Sequence, residues 1–168
     1  MPKLIENLKE KLLAEAQKQL LEVGYSAMMI QSVAKACGVG VGTVYNYFPS
    51  KEALLVACIA ADWENCVDTI HTVAKYSQTY DAVIHCIYDQ IIRFGQEHAV
   101  IFRDESAVKS VDGIMYRYMN FLAGQLAEPL RKYCKSDVEA QIIAEALITW
   151  IRTGKSYEEI YSSIMKLF

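Results

Sequence analysis

Between Gln31 and Lys51 the chain concentrates hydroxyls, amides and glycines, closed by a lysine. Thr43 and Tyr47 supply a short-reach and a long-reach hydroxyl, donors suited to phosphate oxygens. Gln31 and Asn46 carry amides, which combine donor and acceptor and can pair with an adenine edge. Gly40-Val41-Gly42 begins a segment without bulk, so its backbone can approach a partner closely. Each glycine costs about 1 kcal/mol of helix propensity relative to alanine. Lys51 follows Ser50 in the first turn of a helix, where the macrodipole disfavours a cation; a cation placed there suggests an anion nearby. Plainer readings stand beside these. Gln31 can be merely solvated, Lys51 an ordinary surface lysine, and Tyr45 a brace between helices instead of a groove contact.

The elements that must hold these residues are helical. Leu8, Leu12, Ala16 and Leu20 repeat every four residues, and Gly24 supplies a stop. Ile30, Val33, Ala34 and Cys37 form one face of a short second helix that Gly38 ends. A third, from about Val41 to Phe48, puts Val44 and Phe48 on one side, and Pro49 breaks it. Ser50 can cap a long fourth helix, whose stripe runs Leu55, Cys58, Ile59, Trp63, Cys66, Val67, Ile70. A break at Tyr76 to Tyr80 precedes a fifth helix with Val83, Cys86, Ile87, Ile91 and Phe94. A sixth is expected over Val100 to Lys109. Asp112-Gly113 is expected to open a seventh, with Pro129 kinking or interrupting it. Ser136 with Glu139 and Ser156 with Glu159 match the capping box, and Gly154 lies between those two helices. The predicted fold class is all-α: a three-helix helix-turn-helix over residues 1–52, then a helical domain over 53–168.

Three helices in fifty residues, the last two joined at Cys37-Gly38-Val39, follow the plan in which the third helix enters the major groove. That spacing alone is only suggestive. The residues Gly24-Tyr25, Ile30-Gln31-Ser32-Val33-Ala34, Ala36-Cys37-Gly38-Val39 and the run from Gly42 to Leu55 sharpen it. Together they closely resemble the amino-terminal signature of the tetracycline-repressor (TetR) family. The resemblance implies a regulator that binds double-stranded operator DNA as a homodimer and answers a small-molecule effector, with no cofactor. It also implies a phosphate contact by Lys51, with DNA contacts spread over Gln31, Gly40, Val41, Gly42, Thr43, Tyr45, Asn46, Tyr47 and Lys51. Repression is the family's habit. The chain departs from the pattern at Met28 and Met29, where the family often has a threonine or serine cap, and at Gln31, frequently arginine. With no cation on the third helix, these changes predict few phosphate contacts and a shallow salt dependence.

The remainder resembles the family only in being helical. Trp63, Tyr88, Phe94, Phe102, Met115, Tyr118 and Met119 are candidate walls of an effector pocket, mixing aromatics with adaptable methionines. A plain core explains most of them equally well. Ile142, Ala146, Leu147, Trp150, Ile160, Tyr161 and Ile164, with Phe168, give two amphipathic helices for a four-helix dimer interface, or a cover for the chain's own core.

Composition bounds the alternatives. The formal net charge is −3 and the pI about 5.6, so DNA binding needs a local patch. Up to Lys51, Lys3, Lys9, Lys11, Lys18, Lys35 and Lys51 face Glu6, Glu10, Glu15 and Glu22, which leaves that part mildly positive. Apolar runs fall short of the roughly 18 residues of a membrane span. The start has no secretory-type apolar stretch, so a cytoplasmic protein with reduced core thiols is expected. His71, His85 and His98 are not spaced as metal ligands, and no metal is expected. The absence of a Ser/His/Asp set or phosphate loop argues against an enzyme. A helical interaction module that keeps the helix-turn-helix shape without reading DNA stays open, as does a small-molecule carrier.

Overall fold

The computed structural model describes residues 7–167, with side chains at 7–110 and 121–166. Among these residues the chain forms nine α-helices. They are α1 (Leu8–Ala27), α2 (Ile30–Ala36), α3 (Val41–Tyr47), α4 (Lys51–Tyr76), α5 (Tyr80–Glu97), α6 (Ala99–Arg103), α7 (Glu105–Leu130), α8 (Asp137–Arg152) and α9 (Tyr157–Leu167). A 3-10 turn at Arg131–Tyr133 follows α7. By proximity the chain divides into two compact units. One holds residues up to Asp62 together with Glu97–Asp112; the other holds Trp63–Gln96 and the chain from Gly113 onward.

In the first unit α1 packs against α2 and α6, and α2 against α3. The predicted period-four stripe of α1 is the buried one: Leu12, Ala16 and Leu20 are fully enclosed. Ile30, Val33 and Ala34 of α2, Val44 of α3, and Phe48 complete the small core. Each large apolar side chain buried there contributes about 1.5–3 kcal/mol. Gly24 takes φ 78 and ψ 168 and breaks the α1 path, after which one turn resumes through Ala27. Gly38, at φ 68, closes α2 with Val39 N–H donating to Ala34 O at 2.9 Å, the left-handed stop that frees α3 to leave at a new angle.

The second unit carries α5, α8, α9 and most of α7, with the later part of α4. The α4 stripe is buried throughout, from Leu55 to Ile70. Trp63 meets Phe94 edge-on at 5.3 Å, and its Nε1 donates to Gln125 Oε1 at 2.9 Å. Ser156 and Glu159 form the full reciprocal box (3.3 and 2.9 Å). Ser136 Oγ accepts from Glu139 N at 3.1 Å, but the return arm lands on Lys135 N at 2.6 Å, one residue earlier.

Two sequence boundaries are corrected. α6 is only Ala99–Arg103, and α7 begins at Glu105 and runs straight through Asp112-Gly113. The true break is Asp104, whose Oδ1 accepts from Ser106 N (2.9 Å) and Ala107 N (3.2 Å) and so caps α7. A single glycine inside a 26-residue helix costs only about 1 kcal/mol and does not end it. Pro129 lies in the last turn of α7, just before the 3-10 turn.

Candidate nucleic-acid interface

With Val44 and Phe48 buried, α3 turns the rest of its surface outward. Gly42, Tyr45, Asn46 and Tyr47 are exposed, and Val41 and Thr43 are partly covered. Tyr45 is 46% exposed and Tyr47 44%, so each ring reaches solvent. Gly40 stands at the N-cap of α3 and is exposed, as is Gln31 in the first turn of α2. The residues singled out in the sequence are therefore gathered on α3 and at the start of α2, none of them needed by the core.

Lys51 opens α4, shortly after α3 ends at Tyr47, and its side chain turns to the end of α1. Its Nζ lies 4.3 Å from the Tyr25 ring centroid and 3.5 Å from Ser26 O. The ring quadrupole and the carbonyl at the end of α1 thus supply the negative partner that the α4 N-terminus cannot. The carbonyl contact is long and exposed, which leaves the ammonium donors free to turn toward a stronger anion. The surroundings are hydrogen-bonded to one another. Tyr25 is buried and its hydroxyl donates to Glu52 Oε1 at 2.9 Å. Burial raises the phenol, while the Glu52 backbone N–H, then Ser50 and Tyr25, hold that carboxyl below its ordinary range. Ser50 Oγ caps α4 through Ala53 N at 3.1 Å.

Met28 is buried, while Met29 sits at the N-cap of α2, 63% exposed. A thioether offers only a weak acceptor there. The opening of α2 is therefore apolar at the place where the family often has a hydroxyl.

Two carboxylates outside the predicted set organise the unit. Asp104 Oδ2 accepts from Ser26 N and Ser26 Oγ, both at 2.9 Å, and so ties the end of α1 to the start of α7. The Ser26 amide, and then its hydroxyl, keeps this carboxyl below its usual value. Asp62 on α4 accepts from Gln17 Nε2 at 2.7 Å and lies 2.8 Å from His98 Nε2. His98 is buried at the N-cap of α6. The aspartate before Glu105 was a visible capping signal; the meeting of Gln17, Asp62 and His98 had no sequence signature. The other two histidines also face one carboxylate each, His71 with Glu128 (3.2 Å) and His85 with Asp89 (3.7 Å).

The candidate pocket residues fall in different settings. Trp63 and Phe94 pack against each other in the second unit. Tyr88 is partly exposed, edge-on to Tyr157 at 5.7 Å. Phe102 belongs to the first unit, 39% exposed, with its ring 6.0 Å from that of His98. Met115, Tyr118 and Met119 lie outside the residues whose side chains are described. An open cavity of about 610 Å³ in the second unit is lined instead by Val67, Asp68, His71, Phe121, Gly124, Gln125, Glu128 and Arg131.

Of the residues assigned to a dimer contact, Leu147, Ile160 and Ile164 are enclosed within the second unit. Ile142 is 48% exposed, and Ala146, Trp150 and Tyr161 are partly exposed. Val138 (68%) and Met165 (55%) extend the apolar outer surface of α8 and α9, and the sequence reading did not pick them. Phe168 lies outside the described residues.

Residues 12–58 match the family described as "Bacterial regulatory proteins, tetR family". Over 149 residues the chain is 30% identical to the HTH-type transcriptional repressor KstR of Mycolicibacterium smegmatis, spanning 82% of this chain and 73% of that protein. Over 136 residues it is 26% identical to the nucleoid occlusion factor SlmA of Actinobacillus pleuropneumoniae serotype 5b, covering 67% of each. A solved transcriptional regulator of the "TerR/AcrR family" from Aquifex aeolicus shares the fold, with a TM-score of 0.65 at 15% identity over 96% of this chain and 100% of that one. Among the described residues no helix is long and apolar enough to cross a membrane.

Proposed function

This chain belongs to the TetR family of bacterial regulatory proteins, and we propose that it binds a pseudo-palindromic DNA operator as a homodimer, as a ligand-controlled repressor. The observation that carries the reading is the exposed face of α3, with Lys51 beside it. Val44 and Phe48 secure that helix from behind, so Gly42, Thr43, Tyr45, Asn46 and Tyr47 are left for a partner. Tyr47, Thr43 and Lys51 hold phosphates, and the amides of Asn46 and Gln31 address base edges. Residues 1–52 carry this activity, and residues 53–168 carry effector binding and dimerisation. Ile142, Trp150 and Tyr161, joined by Val138 and Met165, form the dimer face. Two-fold symmetry then presents two α3 helices to successive major grooves, roughly 34–36 Å apart per helical turn of DNA.

Control follows from chain connectivity. α4 is one continuous helix from Lys51 to Tyr76, so a ligand held among Trp63, Tyr88, Phe94, Met115, Tyr118 and Met119 is linked to Lys51 along a single element. Coupling of about 1–3 kcal/mol is enough to change operator occupancy severalfold to a hundredfold.

The test is site selection from a random duplex library, followed by titration of the winner at two salt concentrations with wild type and the Lys51→Ala/Tyr47→Ala variant. The expected result is a pseudo-palindrome, a shallow salt slope, and a slope smaller by about 1–2 in the double variant. Unchanged affinity in that variant refutes the contact assignment. Failure to enrich any sequence at low salt favours the second reading, an interaction module, which the exposed apolar Met29 at the start of α2 supports.

A further inference from the structure

The composition of the exposed face of α3 selects among bases. At about 100° per residue, Gly42 and Asn46 lie directly opposite the buried Val44 and Phe48, with Thr43, Tyr45 and Tyr47 to the sides. The observed exposure agrees: Asn46 is exposed, and so is Gly42 one turn before it. A Cβ on Gly42 would meet open space, so no side chain crowds the Asn46 amide from the preceding turn.

In the major groove, guanine presents two acceptors and is met by the paired donors of arginine or lysine, whereas adenine presents one acceptor and one donor. An asparagine amide matches the second pattern and not the first. Val41–Tyr47 contains neither arginine nor lysine, and Lys51 lies over Tyr25 at the end of α1. The exposed Tyr45 ring is an apolar neighbour suited to a thymine methyl. The face is built for A·T pairs and lacks a guanine reader.

We propose that Asn46 is the central base-reading residue, pairing with adenine, and that the operator base pairs beneath α3 are A·T. This rests on the operator-binding reading above and specifies the DNA that the same surface takes. Tyr47 and Lys51 add affinity without sequence preference, so removing Asn46 relaxes specificity where removing them does not.

The experiment is parallel site selection with the full chain as wild type, Asn46→Ala and Asn46→Arg, circular dichroism first establishing that the exposed substitutions leave the helices intact. Wild type is expected to enrich a pseudo-palindrome with an invariant A·T pair in each half-site. Asn46→Ala is expected to keep the half-site spacing, lose preference at that pair, and bind the wild-type operator about five- to a hundredfold more weakly. Asn46→Arg is expected to move the same pair toward G·C. If the pair that responds to these substitutions is G·C in the wild-type site, or if Asn46→Ala leaves every preference in place, the proposal is overturned while operator binding stands. If wild type enriches nothing, the operator reading falls and takes this one with it.

Discussion

Replacing Asp62 with alanine removes the acceptor that joins α1, α4 and the start of α6. Gln17 Nε2 reaches Asp62 Oδ1 at 2.7 Å, and His98 Nε2 lies 2.8 Å from Oδ2. The His98 side chain is only 4% exposed and that of Asp62 32%, so the lost histidine partner is replaced poorly by water. Hydrogen bonds to a charged group contribute about 1.5–3 kcal/mol; partial exposure of Asp62 puts the His98 bond near 2 and the Gln17 bond near 1. Asp62→Ala should therefore cost about 3 kcal/mol. Asp62→Asn keeps an oxygen for Gln17 and places an NH₂ where the second carboxylate oxygen faced the His98 ring nitrogen, and should cost only about 1 kcal/mol. With a urea dependence of about 2 kcal/mol/M, the alanine midpoint falls by about 1.5 M. Urea titrations read by tryptophan fluorescence and by helicity supply the measurement, coincidence of the two curves licensing the free energies. Gln17→Ala should cost less in the Asp62→Ala background than in wild type, because their bond is already gone and only the 3.3 Å bond from Gln17 Nε2 to Cys58 O is left to lose. An alanine variant within 0.5 kcal/mol of wild type would refute the reasoning, as would asparagine and alanine variants of equal stability.

Three further outcomes are expected. Gly24→Ala should destabilise the chain by about 1–3 kcal/mol, because φ 78 with ψ 168 is open essentially to glycine alone; the added Cβ meets only ordinary 3.8 Å contacts, so thermal unfolding reads backbone strain and not a clash. Asp104 has its folded pKa held below 3.8, chiefly by the Ser26 amide, so its contribution is complete above the unfolded value and disappears as pH falls through the folded one. The stability gap between wild type and Asp104→Asn should accordingly be constant near neutrality and close below pH 3.8, a gap that widens on acidification contradicting the assignment. Burial, and then Asp62, pushes the Cys58 thiol up to about 12. Native protein should leave it unalkylated by iodoacetamide at about pH 8 and release it on unfolding, which mass spectrometry of the labelled peptide resolves.

The helices were legible in the sequence because their signals are local. The four-residue stripe of α1, the α4 stripe from Leu55 to Ile70, the capping serines Ser50, Ser136 and Ser156, and the glycine stop at Gly38 act within one or two turns, and all recur in the structure. The exposed composition of α3 was equally readable once Val44 and Phe48 were assigned inward, since the 3.6-residue period leaves the other positions no core to enter. Where sequence reasoning put a boundary at Asp112-Gly113, it weighed a local turn signal above Asp104, whose cap is reinforced by Ser26, far away in the chain. Only the tertiary structure decided such partnerships. Gln17, Asp62 and His98 meet because three helices cross there, and Lys51 rests on Tyr25 because α1 ends beside the start of α4. It also decided which face of α8 and α9 is spent inward: Leu147, Ile160 and Ile164 read as well for a partner as for a core, and burial chose the core. Periodicity records that a residue is apolar and which face it shares, but what that face covers is set by elements distant in sequence, and no short-range pattern encodes it.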